Sequence, residues 1–169
     1  SKEVTSRIIG SLKKLEYRGY DSAGIATISE NNINEVKCEG RVNELEKNVN
    51  QIKLSGTIGI GHVRWATHGK PSTINAHPHS SDNVSVVHNG IIENSTILKK
   101  ILEKKGYKFK SQTDTEVIVH LVTDYLKKNN LKDTIIKVLK KLHGSFALGI
   151  IFKDQPDLII GARRGSPLA

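Results

Sequence analysis

Ile58-Gly59-Ile60-Gly61-His62-Val63-Arg64-Trp65-Ala66-Thr67-His68-Gly69 is the stretch on which the reading turns. An apolar run from Ile58 to Ile60 passes through Gly61 and His62 into a rim carrying a cation, a flat ring and two hydrogen-bonding groups. Glycines on both sides let the backbone turn sharply there. A guanidinium at such a rim can hold a carboxylate by two parallel hydrogen bonds. Thr67 adds a hydroxyl and Trp65 a cover. Taken alone, the stretch fits a pocket for a small carboxylate-bearing molecule and, equally, an exposed loop in which Arg64 makes a surface ion pair and Trp65 is ordinary core.

Working outward, Thr57 to Val63 reads as a strand, and so does Asn83 to His88, whose poor alternation implies burial on both faces. Upstream, Val4, Ile8, Ile9, Leu12 and Leu15 recur at helical spacing, which predicts an amphipathic helix over 3–16. Gly24 to Ile28 and Asn34 to Cys38 form a hairpin around Glu30-Asn31-Asn32, followed by a weaker helix over 41–52. Downstream, a helix carrying Ile97, Leu98, Ile101 and Leu102 is stopped by Gly106. The next opens at Thr113, with Glu116 three residues on as a capping box. A fifth spans 132–142 and ends at Gly144; strands at 145–152 and 157–161 close the chain around Asp154-Gln155-Pro156. The fold class read from this pattern is α+β, helices on a mostly antiparallel sheet system.

Composition narrows the classes. With 169 residues, 37% hydrophobic and 25% charged, the chain suits a single soluble domain. No apolar run approaches the ~20 residues that span a bilayer. A single cysteine excludes an internal disulfide, and with no secretory signal at 1–10 the expected home is the cytoplasm. The net charge of +9, from 26 Lys+Arg against 17 Asp+Glu, invites a nucleic-acid reading. The lysine pairs 13–14, 99–100, 104–105, 127–128 and 140–141 instead fall on polar faces or ends of predicted helices, with no recognition motif beside them. No nucleic acid and no membrane are therefore expected as partners.

Five further constellations bear on chemistry. His88-Asn89-Gly90 puts a side-chain amide beside a glycine N–H at a strand end, as an oxyanion hole requires, although Asn-Gly is also a common turn. Asp114 stands at a helix start, where it can cap or bind an ammonium group, Thr113 sufficing as cap. Five of the seven histidines fall between His62 and His88; without a nearby acid or thiolate they suit loop hydrogen bonds better than zinc, so no metal and no cofactor are expected. Cys38 lies in a strand with nothing to lower its pKa and reads as a structural thiol. In Leu15–Gly24, Arg18 and Asp21 could lock the turn as an ion pair.

Six of these segments occur in one order: LEYRGYDSAG at 15–24, GHVRWATHG at 61–69, NAHPH at 75–79, VVHNGIIEN at 86–94, SQTDTEV at 111–117 and GSPL at 165–168. Over essentially the whole chain this resembles the N-terminal glutaminase domain, a class II glutamine amidotransferase, of the bacterial-type glucosamine-6-phosphate synthases, or glutamine–fructose-6-phosphate aminotransferases (isomerising). The Tyr17-Arg18-Gly19-Tyr20 version and Trp65 resemble that branch more than the amidophosphoribosyltransferases. The resemblance implies an N-terminal-nucleophile hydrolase fold, four layers αββα with two stacked antiparallel sheets. It implies a domain that hydrolyses glutamine and passes ammonia to a C-terminal sugar isomerase domain of the same polypeptide, in a homodimeric full-length enzyme of hexosamine biosynthesis. By motif, Arg64 would hold the glutamine α-carboxylate with Thr67 and His68 beside it, and Trp65 would be a lid. Asn89 and Gly90 would form the oxyanion hole, Asp114 would bind the α-ammonium, and Arg18 and Gly19 would line the nucleophile's side.

The family's nucleophile is a cysteine at the mature N-terminus, in a Cys-Gly-Ile-Val-Gly strand that residues 1–169 do not contain; Ser1 matches a position about eight residues further in. The expectation is a glutaminase domain lacking its first strand and its C-terminal part, with no isomerase domain, and inactive as these residues alone. Two alternatives stand beside it: a glutaminase domain of another class II amidotransferase, and a non-catalytic basic binding module.

Overall fold

The computed structural model describes residues 2–66 and 69–168. Helix α1 (Lys2–Leu15) runs through a 3₁₀ turn at Glu16–Arg18 into a hairpin of β1 (Ser22–Ser29) and β2 (Asn32–Glu39). Glu30 and Asn31 both take positive φ, 50° and 58°, as a two-residue hairpin turn matched to the strand twist requires. Helix α2 (Val42–Ile52) then leads to β3 (Ile58–Arg64), which returns antiparallel along the other edge of β1, giving the order β2-β1-β3.

The second sheet is built from the rest: a short β4 (His79–Ser80), β5 (Val84–Ile92), and, after helices α3 (Ser95–Lys104), α4 (Glu116–Leu126) and α5 (Leu131–Lys141), strands β6 (Gly144–Phe152) and β7 (Gln155–Arg164). Its order is β4-β5-β6-β7, antiparallel throughout.

Three apolar clusters define the layers. Ile9 and Leu12 of α1 and Val42, Leu45 and Val49 of α2 pack with Ala23 and Ile25 on one face of β1. The opposite face of that sheet, Ala26, Ile28 and Ile60, meets Val87 and Ile151 of the second sheet. Beyond it, Val84, Val86, Phe146, Leu148 and Ile150 pack under α3, α4 and α5. The arrangement is helix, sheet, sheet, helix, the α+β class expected. Residues 84–88 are buried without interruption because both faces of β5 are covered, one by the other sheet and one by helices.

Four local expectations are corrected. Asn89 and Gly90 lie within β5, in register with Ala147 and Phe146, not at a strand end, because β6 extends the ladder to Ile92. The Thr113–Glu116 capping box does not form: α4 begins at Glu116, Thr113 Oγ1 bonds His79 Nε2 at 2.9 Å, and Glu116 receives the Lys110 and Ser111 amides. Gly144 opens β6 rather than ending α5, whose cap is Leu142. Asp21 turns to Arg64, 3.8 Å away, and not to Arg18, which stays exposed. Among the described residues no helix is long and apolar enough to cross a membrane.

Candidate active site

A cleft of about 520 Å³ opens where the ends of β3 and β5 approach the loop before α4. Arg18, Arg64, Trp65, Asn89, Gly90 and Asp114 all line it. Thr67 and His68 lie outside the described residues.

Arg64 ends β3 with its side chain almost fully buried, at 4% residue exposure. Its Nη2 donates to the Gly69 carbonyl at 3.1 Å. Burial pulls its pKa below the ordinary arginine value, and Asp21 and Asp114 counteract this. An arginine remains charged under such a pull, because its starting value is above 12. Asp21 also accepts the Ala66 N–H and the Ser22 hydroxyl, so one carboxylate fixes the guanidinium and the backbone that follows it. Gly19 lies behind this post: a Cβ there would sit 2.6 Å from the Arg64 carbonyl carbon, so only glycine permits the approach. Trp65, 61% exposed, stands at the mouth with its ring edge-on to Tyr20 at 5.5 Å.

The opposite wall is β5. Ile92 donates its N–H to Asp114 Oδ2 at 2.7 Å, away from β6. Strand alternation places the Gly90 N–H on that same side. Gly90 has φ +135°, and a Cβ would meet the Ser145 carbonyl oxygen at 2.2 Å. The close passage of β6 thus demands glycine beside Asn89, whose side chain is exposed at the cleft.

Beneath the cleft four imidazoles gather. His62 and His77 have ring centroids 4.5 Å apart, His77 and His79 4.9 Å, and His77 and His88 6.5 Å. Burial, followed by the charges of neighbouring imidazoles and Arg64, lowers His62 to about 4 and places His77 well below its usual value. Burial and Lys37 lower His79 to about 3. These three rings are neutral at pH 7. His77 Nε2 and His88 Nδ1 lie 2.7 and 2.9 Å from the Thr115 hydroxyl. His77, His79 and His88 fasten the loop before α4 through the Thr113 and Thr115 hydroxyls, and no group of three or more metal-ligating side chains forms among the described residues.

Two residues that sequence reasoning passed over complete the frame. Asn75 Nδ2 donates to the Lys70 carbonyl and to Gln112 Oε1, while the Gln112 N–H donates to Asn75 Oδ1, tying the segment after Arg64 to the loop bearing Asp114. The signal available was the amide of Asn75 inside the NAHPH motif. Cys38 lies elsewhere, buried in the core under α2, where burial raises its thiol pKa.

Chemically, a buried cation on the β3 wall and a part-buried carboxylate held against β5 suit a zwitterion. A backbone N–H and a side-chain amide on β5 suit an oxygen on which negative charge develops.

Comparison with known proteins agrees. Residues 63–165 match the family described as "Glutamine amidotransferase domain". A glutamine–fructose-6-phosphate aminotransferase [isomerizing] of Clostridium acetobutylicum is 54% identical over 169 residues, covering 99% of this chain and 28% of its own length. One of Bradyrhizobium diazoefficiens is 52% identical over 167 residues, with 98% and 28% covered. The chain therefore spans little more than a quarter of the length of these relatives. Among solved structures, the glutamine phosphoribosylpyrophosphate amidotransferase of B. subtilis, complexed with ADP and GMP, superposes with a TM-score of 0.71 at 33% identity, over 86% of this chain and 32% of that one. A structure described as the allosteric regulatory enzyme of purine biosynthesis gives 0.75 at 31% identity, over 90% and 33%. The two stacked antiparallel sheets between helical layers are thus the N-terminal-nucleophile hydrolase architecture of those amidotransferases. This chain belongs to the glutamine amidotransferase domain family.

Proposed function

We propose that residues 1–169 form the glutamine-hydrolysing domain of a glutamine–fructose-6-phosphate aminotransferase, supplying the ammonia that converts fructose 6-phosphate to glucosamine 6-phosphate. The observation that carries the reading is Arg64, buried and charged, sharing one cleft with Asp114 and with the Asn89-Gly90 pair. Arg64 takes the glutamine α-carboxylate bidentately, and Asp114 takes the α-ammonium. The Asn89 amide and the Gly90 N–H receive the carbonyl oxygen as it becomes an oxyanion. Trp65 covers the bound amide, and Arg18 and Gly19 border the side from which the nucleophile attacks.

A thiolate adds to the glutamine side-chain carbonyl, the C–N bond breaks, and ammonia leaves with a proton from the general acid. Water then cleaves the thioester to glutamate. Cys38 is buried under α2 with its thiol pKa raised, so it does not fill this role. We assign the nucleophile to a cysteine at the mature N-terminus of the full-length protein, whose free α-amino group acts as base. The remaining length carries the sugar isomerase domain and the dimer contacts, and the enzyme works in the cytosol, where Cys38 stays reduced.

The test is the full-length protein incubated with glutamine and either fructose 6-phosphate or phosphoribosyl pyrophosphate. Equal yields of glutamate and glucosamine 6-phosphate are expected. Ammonia transfer only to the phosphoribosyl acceptor would replace this reading with the amidophosphoribosyltransferase one.

A further inference from the structure

Arg64 and Asp114 reach the cleft from different segments, and one buried side chain joins those segments: Asn75, 1% exposed, at the end of the 3₁₀ turn Thr73–Asn75. The Ser72 hydroxyl accepts its backbone N–H at 3.3 Å, which fixes the turn. The Asn75 carboxamide Nδ2 donates to the Lys70 carbonyl at 2.9 Å and to Gln112 Oε1 at 3.1 Å, and Oδ1 accepts the Gln112 backbone N–H at 2.9 Å. Backbone groups settle which way the amide faces, because the Lys70 carbonyl can only accept and the Gln112 N–H can only donate. Gln112 Oε1 then accepts twice, from Asn75 and, at 3.4 Å, from the Lys70 N–H.

On one side this clamp holds the segment on which Arg64 leans. The Gly69 carbonyl accepts from Arg64 Nη2 at 3.1 Å. Gly69 has φ +81°, and a Cβ there would meet Asn75 Nδ2 at 2.8 Å and Gln112 Cβ at 2.9 Å, so the glycine lies pressed against the clamp. On the other side, Gln112 stands two residues before Asp114, whose Oδ2 accepts the Ile92 N–H at 2.7 Å. An α-amino acid carries its carboxylate and its ammonium on one carbon, so a site that takes both must hold their two partners at one separation. We infer that Asn75 is a positioning residue that determines specificity: its carboxamide sets the separation of Arg64 and Asp114, so that the cleft favours a ligand bearing both groups over a ligand bearing either. The inference rests on the roles given to Arg64 and Asp114 above. With both amide hydrogens engaged, the clamp is rigid before binding, and the second charged group of the ligand meets its partner without further ordering.

The experiment is calorimetric titration of the full-length protein with L-glutamate, with glutarate, which lacks the amino group, and with 4-aminobutyrate, which lacks the α-carboxylate. Asn75→Asp keeps the shape and the acceptor for the Gln112 N–H but sets lone pairs against the Lys70 carbonyl and Gln112 Oε1. It should weaken L-glutamate about tenfold and each analogue by less than about threefold, because an analogue uses one partner and is indifferent to their spacing. Equal weakening of all three ligands overturns the proposal and leaves Asn75 a part in stability alone; an Asn75→Asp protein that binds L-glutamate as before overturns it too. Gln112 is exposed, so its variants test the same clamp if Asn75→Asp fails to fold. Gln112→Met removes the acceptor and should narrow the preference for L-glutamate, whereas Gln112→Glu, which keeps an acceptor there, should retain that preference. An unchanged preference in Gln112→Met sinks the proposal. If the unaltered protein binds L-glutamate no better than either analogue, the roles given to Arg64 and Asp114 fall, and this one with them.

Discussion

Arg64 is held before any ligand arrives, by the Gly69 carbonyl and by Asp21, so little side-chain entropy remains to be lost on binding. A lysine has one donor head and cannot keep the Gly69 contact while bridging a carboxylate with two parallel bonds. In the full-length protein Arg64→Lys should raise the KM for glutamine tenfold or more, about 1.4 kcal/mol, with a smaller effect on kcat. Initial rates of glutamate release against glutamine concentration check this, and an unchanged KM removes Arg64 from the carboxylate site. Asn89→Ala should show the opposite division. Loss of one oxyanion donor costs roughly 10²–10³ in kcat, so turnover should fall while glutamate affinity, measured by titration, holds; the reverse outcome moves Asn89 to ground-state binding. In the sequence the stretch around Arg64 fits a pocket and an exposed ion pair equally, and only the motif set favours the pocket; its burial at the end of β3 removes the exposed-loop reading. The part of Asp21 was not legible in the sequence, because its partner stands more than forty residues away and only the β1–β3 pairing of Ser22 with Arg64 brings them together.

Among the elements, the start of α4 departs furthest from its sequence reading. The S/T-x-x-E spacing at Thr113–Glu116 was read as a capping box, yet both residues answer to tertiary partners, Thr113 to His79 and Glu116 to the loop before it. Local spacing cannot reveal a histidine brought in from β4. The helices themselves were legible, because their apolar stripes face layers that exist wherever the sheets lie. Glu116 gives this element a measurable signature. Burial would raise its pKa, but His120, the Lys110 and Ser111 amides and the Ser111 hydroxyl outweigh that and bring it to about 2. A depressed carboxylate contributes stability above its unfolded value near 4.5, lost as pH falls toward about 2. Glu116→Gln should therefore cost up to roughly 3 kcal/mol at neutral pH and flatten the acid limb below pH 4.5. Urea unfolding at pH 7 and at pH 3.5 measures both; an equal loss at the two pH values would show that the charge is immaterial.

At the scale of the molecule, the buried histidines set a separate acid limit. His62 and His79 titrate at about 4 and about 3 when folded and near 6.5 when unfolded. The unfolded chain thus takes up protons first, and stability, full above about pH 6.5, falls as pH drops toward 4, by up to about 1.4 kcal/mol per pH unit for each ring. Thermal unfolding between pH 7.5 and 5 should show the decline beginning near 6.5, well before the carboxylate limb; a flat profile to pH 5 would mean these rings are charged in the folded state. The layered architecture was legible as helices on antiparallel strands, and the resemblance supplied its four layers. The imidazole cluster was not, because it assembles from β3, β4, β5 and the segment before β4, which periodicity does not relate. That assembly from several elements reaches the cleft too. Arg64 stands on one sheet and Asn89 and Gly90 on the other, and the two sheets meet through Ala26, Ile28, Ile60, Val87 and Ile151. The interior is therefore the hinge block of a caliper, with Arg64 on one jaw and Asn89 and Gly90 on the other, its opening set by how five apolar side chains mesh. On the proposed reading, an amide one methylene shorter than glutamine would reach one jaw or the other but not both, so asparagine should be turned away by residues that never touch it.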